Sequence, residues 1–194
     1  VNHISTKETV EIIRKAKKLG LPVTCDTSPP YFTLNELSLE DYRTFSKLNP
    51  PLRSEEDRLS IIEGICDGTI DAISSDHTPQ DQDAKRLPFN QAEFGGVGLE
   101  TLLSLSLNLV KNKYISVEKL LRLLTVNPAK ILNLDYGMIN EQSEADISVF
   151  DLSKSWKVNP ESFFGKSKNS PFDGLLVEGK NIMTFVRGRL VYRL

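Results

Sequence analysis

The chain has 194 residues, with 24 Lys and Arg against 26 Asp and Glu and 39% hydrophobic residues. Its formal net charge of −2 excludes a dedicated nucleic-acid or membrane-surface protein. The longest apolar stretch, around Leu102, is broken by Ser104, Ser106 and Asn108, so no membrane span is expected.

In chain order, residues 1–4 read as the end of a strand that delivers His3 at its terminus. Ser5 and Glu8 have the spacing of a capping box, which predicts a helix start with Ile12, Ala16 and Leu19 on its buried face. Gly20 and Pro22 stop that helix, and PVTCDT (22–27) reads as a short strand. Residues 28–52 form a long irregular stretch punctuated by Pro29, Pro30, Pro50 and Pro51, a length that points to function. Its far end, Phe45 to Asn49, is predicted to be another short strand. Ser54 caps a second helix with Leu59, Ile62, Ile65 and Cys66 as its apolar stripe, and Gly68 ends it.

Ile70, Ala72 and Ile73 then form a buried strand that breaks off at Ser74, Ser75, Asp76 and His77. In α/β barrels functional groups gather at the C-terminal ends of strands, which singles out Asp76 as a catalytic candidate. A polar loop and the glycines of EFGGVG follow, then an apolar helix from Leu99 to Val110 and a Ser116-capped helix carrying Leu120, Leu121 and Leu124. Asn127 and Pro128 read as an N-cap and first helical residue. After Tyr136 the pattern turns to strands: ADISVFD (145–151), then a hairpin of Met183–Val186 and Leu190–Tyr192 about Gly188.

Four αβ steps are half of what a (β/α)₈ barrel needs. The predicted fold class is α/β: residues 1–133 as half of a TIM-type barrel and residues 134–194 as a smaller β unit. Half a barrel has raw edges, so the chain is expected to assemble with its other half or with a second copy. A first residue of Val carries the expectation of a fragment or processed product, and no signal peptide is expected. Cys25 and Cys66 lie in apolar surroundings and are expected to be buried and reduced, which suits the cytoplasm. With only two histidines, His3 and His77, any metal site must lean on carboxylates or on residues outside this sequence.

Several blocks resemble one family. NHISTKETVEIIRKAKKLGLPVT, KLNPPLRSEEDRLSIIEGICDGTIDAISSDHTP, FGGVGLET and NSPFDG together are similar to class I dihydroorotases of the amidohydrolase superfamily. The resemblance implies zinc-dependent interconversion of N-carbamoyl-L-aspartate and dihydroorotate in pyrimidine biosynthesis. It implies a (β/α)₈ barrel with a composite β-sandwich domain, with residues 1–133 as barrel strands 5–8 and residues 134–194 as the C-terminal part of the small β-sandwich. It makes His3 a metal ligand and Asp76 both a metal contact and the general base and acid. Asn49, Gln80 and the backbone of Gly95 would contact substrate. One or two zinc ions are implied, with most ligands outside this sequence.

Two positions depart from the pattern. Pro30 stands where the family has a metal-binding histidine, and proline has no donor for a metal. Gln80 stands where a substrate-binding histidine is common, and it can hydrogen-bond but carries no charge. The loss of the histidine at Pro30 supports an alternative, a non-catalytic dihydroorotase-like partner of aspartate transcarbamoylase. An amidohydrolase for another cyclic amide, such as a hydantoin, is a weaker third reading.

Overall fold

The computed structural model describes residues 1–194. Its element order is α1 (Lys7–Lys18), β1 (Asp26–Thr27), α2 (Pro29–Thr33), α3 (Glu55–Asp67), β2 (Ala72–Ile73), α4 (Gln82–Arg86), α5 (Leu102–Lys111), α6 (Val117–Leu124), α7 (Val126–Ile131), β3 (Ile147–Lys157), β4 (Leu176–Val186) and β5 (Arg189–Arg193). The fold is α/β, as the alternation of elements requires.

The first layer is a short parallel array. β1 pairs with β2, Asp26 opposite Ala72 and Thr27 opposite Ile73. On the other side of β1, the Val1 N–H donates to Thr24 O at 2.8 Å and its carbonyl accepts from Asp26 N at 3.1 Å, the spacing of a parallel pairing. Three tracts therefore run side by side, in the order 1–4, 24–27, 71–74, with their C-terminal ends together. The predicted strand over Phe45 to Asn49 is not among them. Thr44–Ser46 is a turn of 3₁₀ helix, and Ser74 N bonds directly to Thr27 O at 2.9 Å, so nothing intervenes between these tracts.

The helices cover the array. α1 is capped by Thr6, not Ser5: the Thr6 hydroxyl accepts from Thr9 N at 3.2 Å, while Ser5 is buried. The buried face of α1 is Val10 and Ile13; Ile12 and Leu19, expected inside, are 63% and 79% exposed. Val10 and Ile13 are spaced i, i+3 on one face, while Ile12 and Leu19 lie on the exposed one. α3 begins at the predicted cap, with the Ser54 hydroxyl accepting from Asp57 N, and Gly68 closes it in the left-handed region at φ 84°. Ile61, Ile62 and Ile65 face inward; Leu59 does not. Val10, Ile13, Ile61, Ile65, Ile70, Ile73, Leu107 and Leu120 belong to one core that joins α1, α3, α5 and α6 to the parallel array. Asn127 is not a cap. It lies inside α7, and its side-chain amide donates to Asp71 O at 2.8 Å.

The second layer is the antiparallel sheet β3-β4-β5, longer than the sequence pattern predicts. β4 and β5 close on a hairpin with Arg187 and Gly188 both at positive φ. This sheet does not have a core of its own. Val158, Phe163, Phe172 and Val177 pack with Val97 and Leu105, on the other side of residue 133. The Ser104 hydroxyl and the Trp156 indole N–H both donate to Gly179 O, at 2.6 and 2.9 Å. Both cysteines are free; Cys25 is buried and Cys66 half-buried.

Candidate functional site

The parallel tracts end in polar residues because an apolar strand can stay buried only as far as the array is covered. His3 and Asp76 sit at two of these ends. Both adopt left-handed backbone, at φ 50° and 46°, which a residue with a Cβ takes at a cost on the order of 1 kcal/mol. Such conformations persist where the surroundings hold them, and here they turn two side chains toward each other. His3 Nδ1 lies 3.8 Å from Asp76 Oδ1.

Asp26 holds the arrangement from between them. Its Oδ1 accepts from the His3 backbone N–H at 3.0 Å and from the Ser74 hydroxyl at 2.9 Å, tying all three tracts at one oxygen. The same oxygen is 3.9 Å from His3 Nε2, so the imidazole lies between two carboxylates, beyond direct hydrogen-bonding distance of either. Asp26 was missed in the sequence. The signal that found Asp76, a carboxylate at the C-terminal end of a short strand, also applies to it.

Asp76 has a second neighbour. Tyr31, buried in α2, donates its hydroxyl to Pro50 O at 2.9 Å and lies 3.4 Å from Asp76 Oδ2. Burial raises the Asp76 carboxyl above its ordinary value, with the His3 imidazole and the Tyr31 hydroxyl opposing the rise. Burial and the nearby Asp76 charge push the Tyr31 phenol upward, so it stays a neutral donor. Pro30, one residue earlier, is buried in the first turn of α2.

The remaining predicted residues are spread around this centre. Asn49 is exposed. Gln80 spends its side-chain N–H on Phe94 O at 2.9 Å. Gly95 has φ 117°, and a Cβ there would lie 2.5 Å from Thr78 Cγ2, so only glycine fits. Its N–H donates to Lys47 O at 3.0 Å and its carbonyl accepts from the Asn169 amide at 3.1 Å. Gly95 lets the turn lie against Thr78. His77 turns away from the centre, with Nδ1 accepting from Gly98 N at 3.2 Å.

No group of three or more His, Cys, Asp or Glu side chains is arranged to hold a metal ion. His3 and Asp76 are one nitrogen and one carboxylate donor facing each other, and zinc takes about four ligands. The residues present fit part of a zinc site.

The pattern of the amidohydrolase family matches residues 2–191. A dihydroorotase from Desulforapulum autotrophicum is 46% identical over 193 residues, which is 100% of this chain and 45% of that protein. One from Anaplasma phagocytophilum is 49% identical over 193 residues, covering 100% of this chain and 43% of its own length. Among solved structures, the L-hydantoinase (dihydropyrimidinase) from Arthrobacter aurescens superposes with a TM-score of 0.92 at 33% identity, over 100% of this chain and 44% of that one. The chain thus spans less than half the length of the relatives it matches.

Proposed function

Since this chain belongs to the amidohydrolase family, we propose that it forms the His3–Asp76 arm of a dihydroorotase, which interconverts N-carbamoyl-L-aspartate and dihydroorotate in pyrimidine biosynthesis. The observation that carries this reading is the approach of His3 and Asp76 to 3.8 Å, in a chain that aligns over its full length with dihydroorotases at 46 and 49% identity. The more distant likeness to a hydantoinase, at 33%, fits the same chemistry on a different cyclic amide. The tracts ending in His3 and Asp76 are part of a (β/α)₈ barrel completed by residues outside this chain. The antiparallel sheet is part of the accompanying sandwich.

Opening or closing an amide ring at neutral pH needs an activated water, a polarised carbonyl and a group that moves a proton. Zinc, one or two ions with most ligands supplied from outside this chain, provides the first two by lowering the pKa of water to about 7 and drawing charge from the carbonyl. Within this chain, His3 offers a ring nitrogen to the metal. Asp76 takes the proton of the attacking water and returns it to the leaving amide nitrogen. Tyr31, fixed by Pro50 O, limits where the Asp76 oxygens can turn. Asn49 and Gln80 are the proposed substrate contacts, with Gln80 first needing to release Phe94 O.

The test is dihydroorotate turnover by the zinc-loaded protein complete with its complementary half, with hydantoin as the competing substrate. Turnover of dihydroorotate that falls about 10²- to 10⁴-fold in Asp76→Asn supports the assignment. Equal activity in that variant removes Asp76 from the chemistry. Pro30, buried and without a donor atom, favours a second reading: a non-catalytic partner of aspartate transcarbamoylase. No zinc and no turnover, together with co-assembly with a transcarbamoylase, would establish that reading.

A further inference from the structure

Asn169 belongs to the NSPFDG segment, far in sequence from the parallel array and without a role in the chemistry above. Its side chain is 3% exposed and uses both ends. The amide donates to Thr78 O at 3.2 Å and to Gly95 O at 3.1 Å. The side-chain oxygen accepts from Gln80 N at 3.2 Å, and the backbone carbonyl accepts from Val97 N at 3.1 Å. One residue thus satisfies four backbone groups on two loops. Those loops also meet at a parallel bridge, Thr78 N to Gly96 O at 2.8 Å, and through the Gln80 side-chain N–H on Phe94 O at 2.9 Å. The neighbouring Pro171 seals the contact, for a Cβ on Gly96 would lie 2.9 Å from its Cδ.

From this geometry we infer that Asn169 is a positioning residue, setting where the loop beyond Asp76 places Gln80. The functional half of the inference rests on the reading of Gln80 as a substrate contact. Asp76 itself is held by other means. Its following residue, His77, accepts from Gly98 N, and the preceding Ser75 carbonyl packs so closely on Gly98 that a Cβ there would lie 2.2 Å away. The backbone N–H of Gln80 is fixed by Asn169, and its side chain bonds Phe94 O on the loop that Asn169 also holds. Removing the Asn169 amide should therefore disturb substrate binding and leave the proton-transfer step in place. Buried backbone groups left without partners would free the loop to move.

Asn169→Ala and Asn169→Asp test this in the complete zinc-loaded protein; the aspartate variant retains the volume and an acceptor for Gln80 N. Positioning predicts a KM for dihydroorotate raised on the order of 10-fold with kcat within about threefold, because misplacing a binding group weakens binding before it slows chemistry. It also predicts faster amide hydrogen exchange at Gln80 and Val97 than in the parent, with α1 and α3 unchanged. A purely structural role would lower the active fraction, and with it apparent kcat, at unchanged KM; that result overturns the inference, as does unchanged exchange at Gln80 and Val97. If alanine does not fold, the aspartate variant decides by the same criteria. If the parent turns over no dihydroorotate, the functional reading fails and the exchange measurement alone decides whether Asn169 holds the loop.

Discussion

At the scale of single residues, the site depends on polar groups that have few alternatives. Tyr31 is buried, and its hydroxyl is bonded to Pro50 O and lies beside Asp76. Tyr31→Phe keeps the ring and removes the donor, so a half-buried carbonyl loses its partner. We expect a loss of about 1–2 kcal/mol in urea unfolding, and an unchanged midpoint would show that Pro50 O finds another partner. Lys85 is a second case. It is 1% exposed, and its ammonium is held by Glu93 O at 2.8 Å and Lys47 O at 3.4 Å, both neutral carbonyls. Burial, reinforced by the charge of Lys47, lowers it from 10.5 to about 8. Between about pH 8 and 10.5 the unfolded chain keeps a proton that the folded chain gives up, so stability rises with pH across that window. The rise is on the order of 2–3 kcal/mol. It should appear in the difference between the parent and Lys85→Met, which also removes the opposing contributions of Cys25 and Cys66.

Among the elements, α1 and α3 are joined through their first turns. Asp57 Oδ1 accepts from the Lys7 backbone N–H at 2.8 Å, and its other oxygen accepts from the Ser54 hydroxyl at 2.7 Å. One carboxylate therefore serves the start of both helices, where backbone donors have no intrahelical partner. Burial alone would raise the Asp57 carboxyl, but the bonds from Lys7 and Ser54 hold it below its ordinary 3.8. Its contribution is thus present above that value and fades as the pH falls through the lowered one. Asp57→Ala should cost about 1–2 kcal/mol near neutral pH and less in acid, measured by thermal unfolding. The helix signals in the sequence were legible where a cap was unambiguous, as at Ser54. They failed where two hydroxyls competed, as at Ser5 and Thr6. The strand expected over Phe45 to Asn49 failed for a different reason. Apolar residues in a short run satisfy a strand or a buried turn equally well, and Leu48 is buried beside Tyr31 and Leu52 without joining the array.

For the molecule as a whole, the chain brings one imidazole and one carboxylate together at His3 and Asp76, where zinc takes about four ligands. The chain without its complement should show no dihydroorotate turnover and should bind zinc weakly, with exchange complete on brief dialysis against a chelator. Turnover by the 194 residues alone would overturn the proposal that the barrel and its ligands are completed from outside. No helix is long and apolar enough to cross a membrane. The exposed apolar side chains Ile12, Leu19, Phe164 and Leu176 belong to scattered helix, loop and strand positions, not to a span.

The sequence by itself determined the α/β alternation, the Ser54 cap, the hairpin about Gly188, and Asp76 and His3 as residues at tract ends. These are local properties, written in spacing and in the chemistry of a few side chains. The family blocks also lay in order along the chain and could be read without coordinates. Tertiary structure alone decided that Asp26 binds all three tracts at one oxygen, that Tyr31 stands against Asp76, that the Gly95 backbone is already paired, and that Asn169 joins two loops. Each of these depends on a hydrogen bond between residues distant in sequence. A polar residue's type states what it can bond to; only the packed chain brings a partner within hydrogen-bonding distance of it.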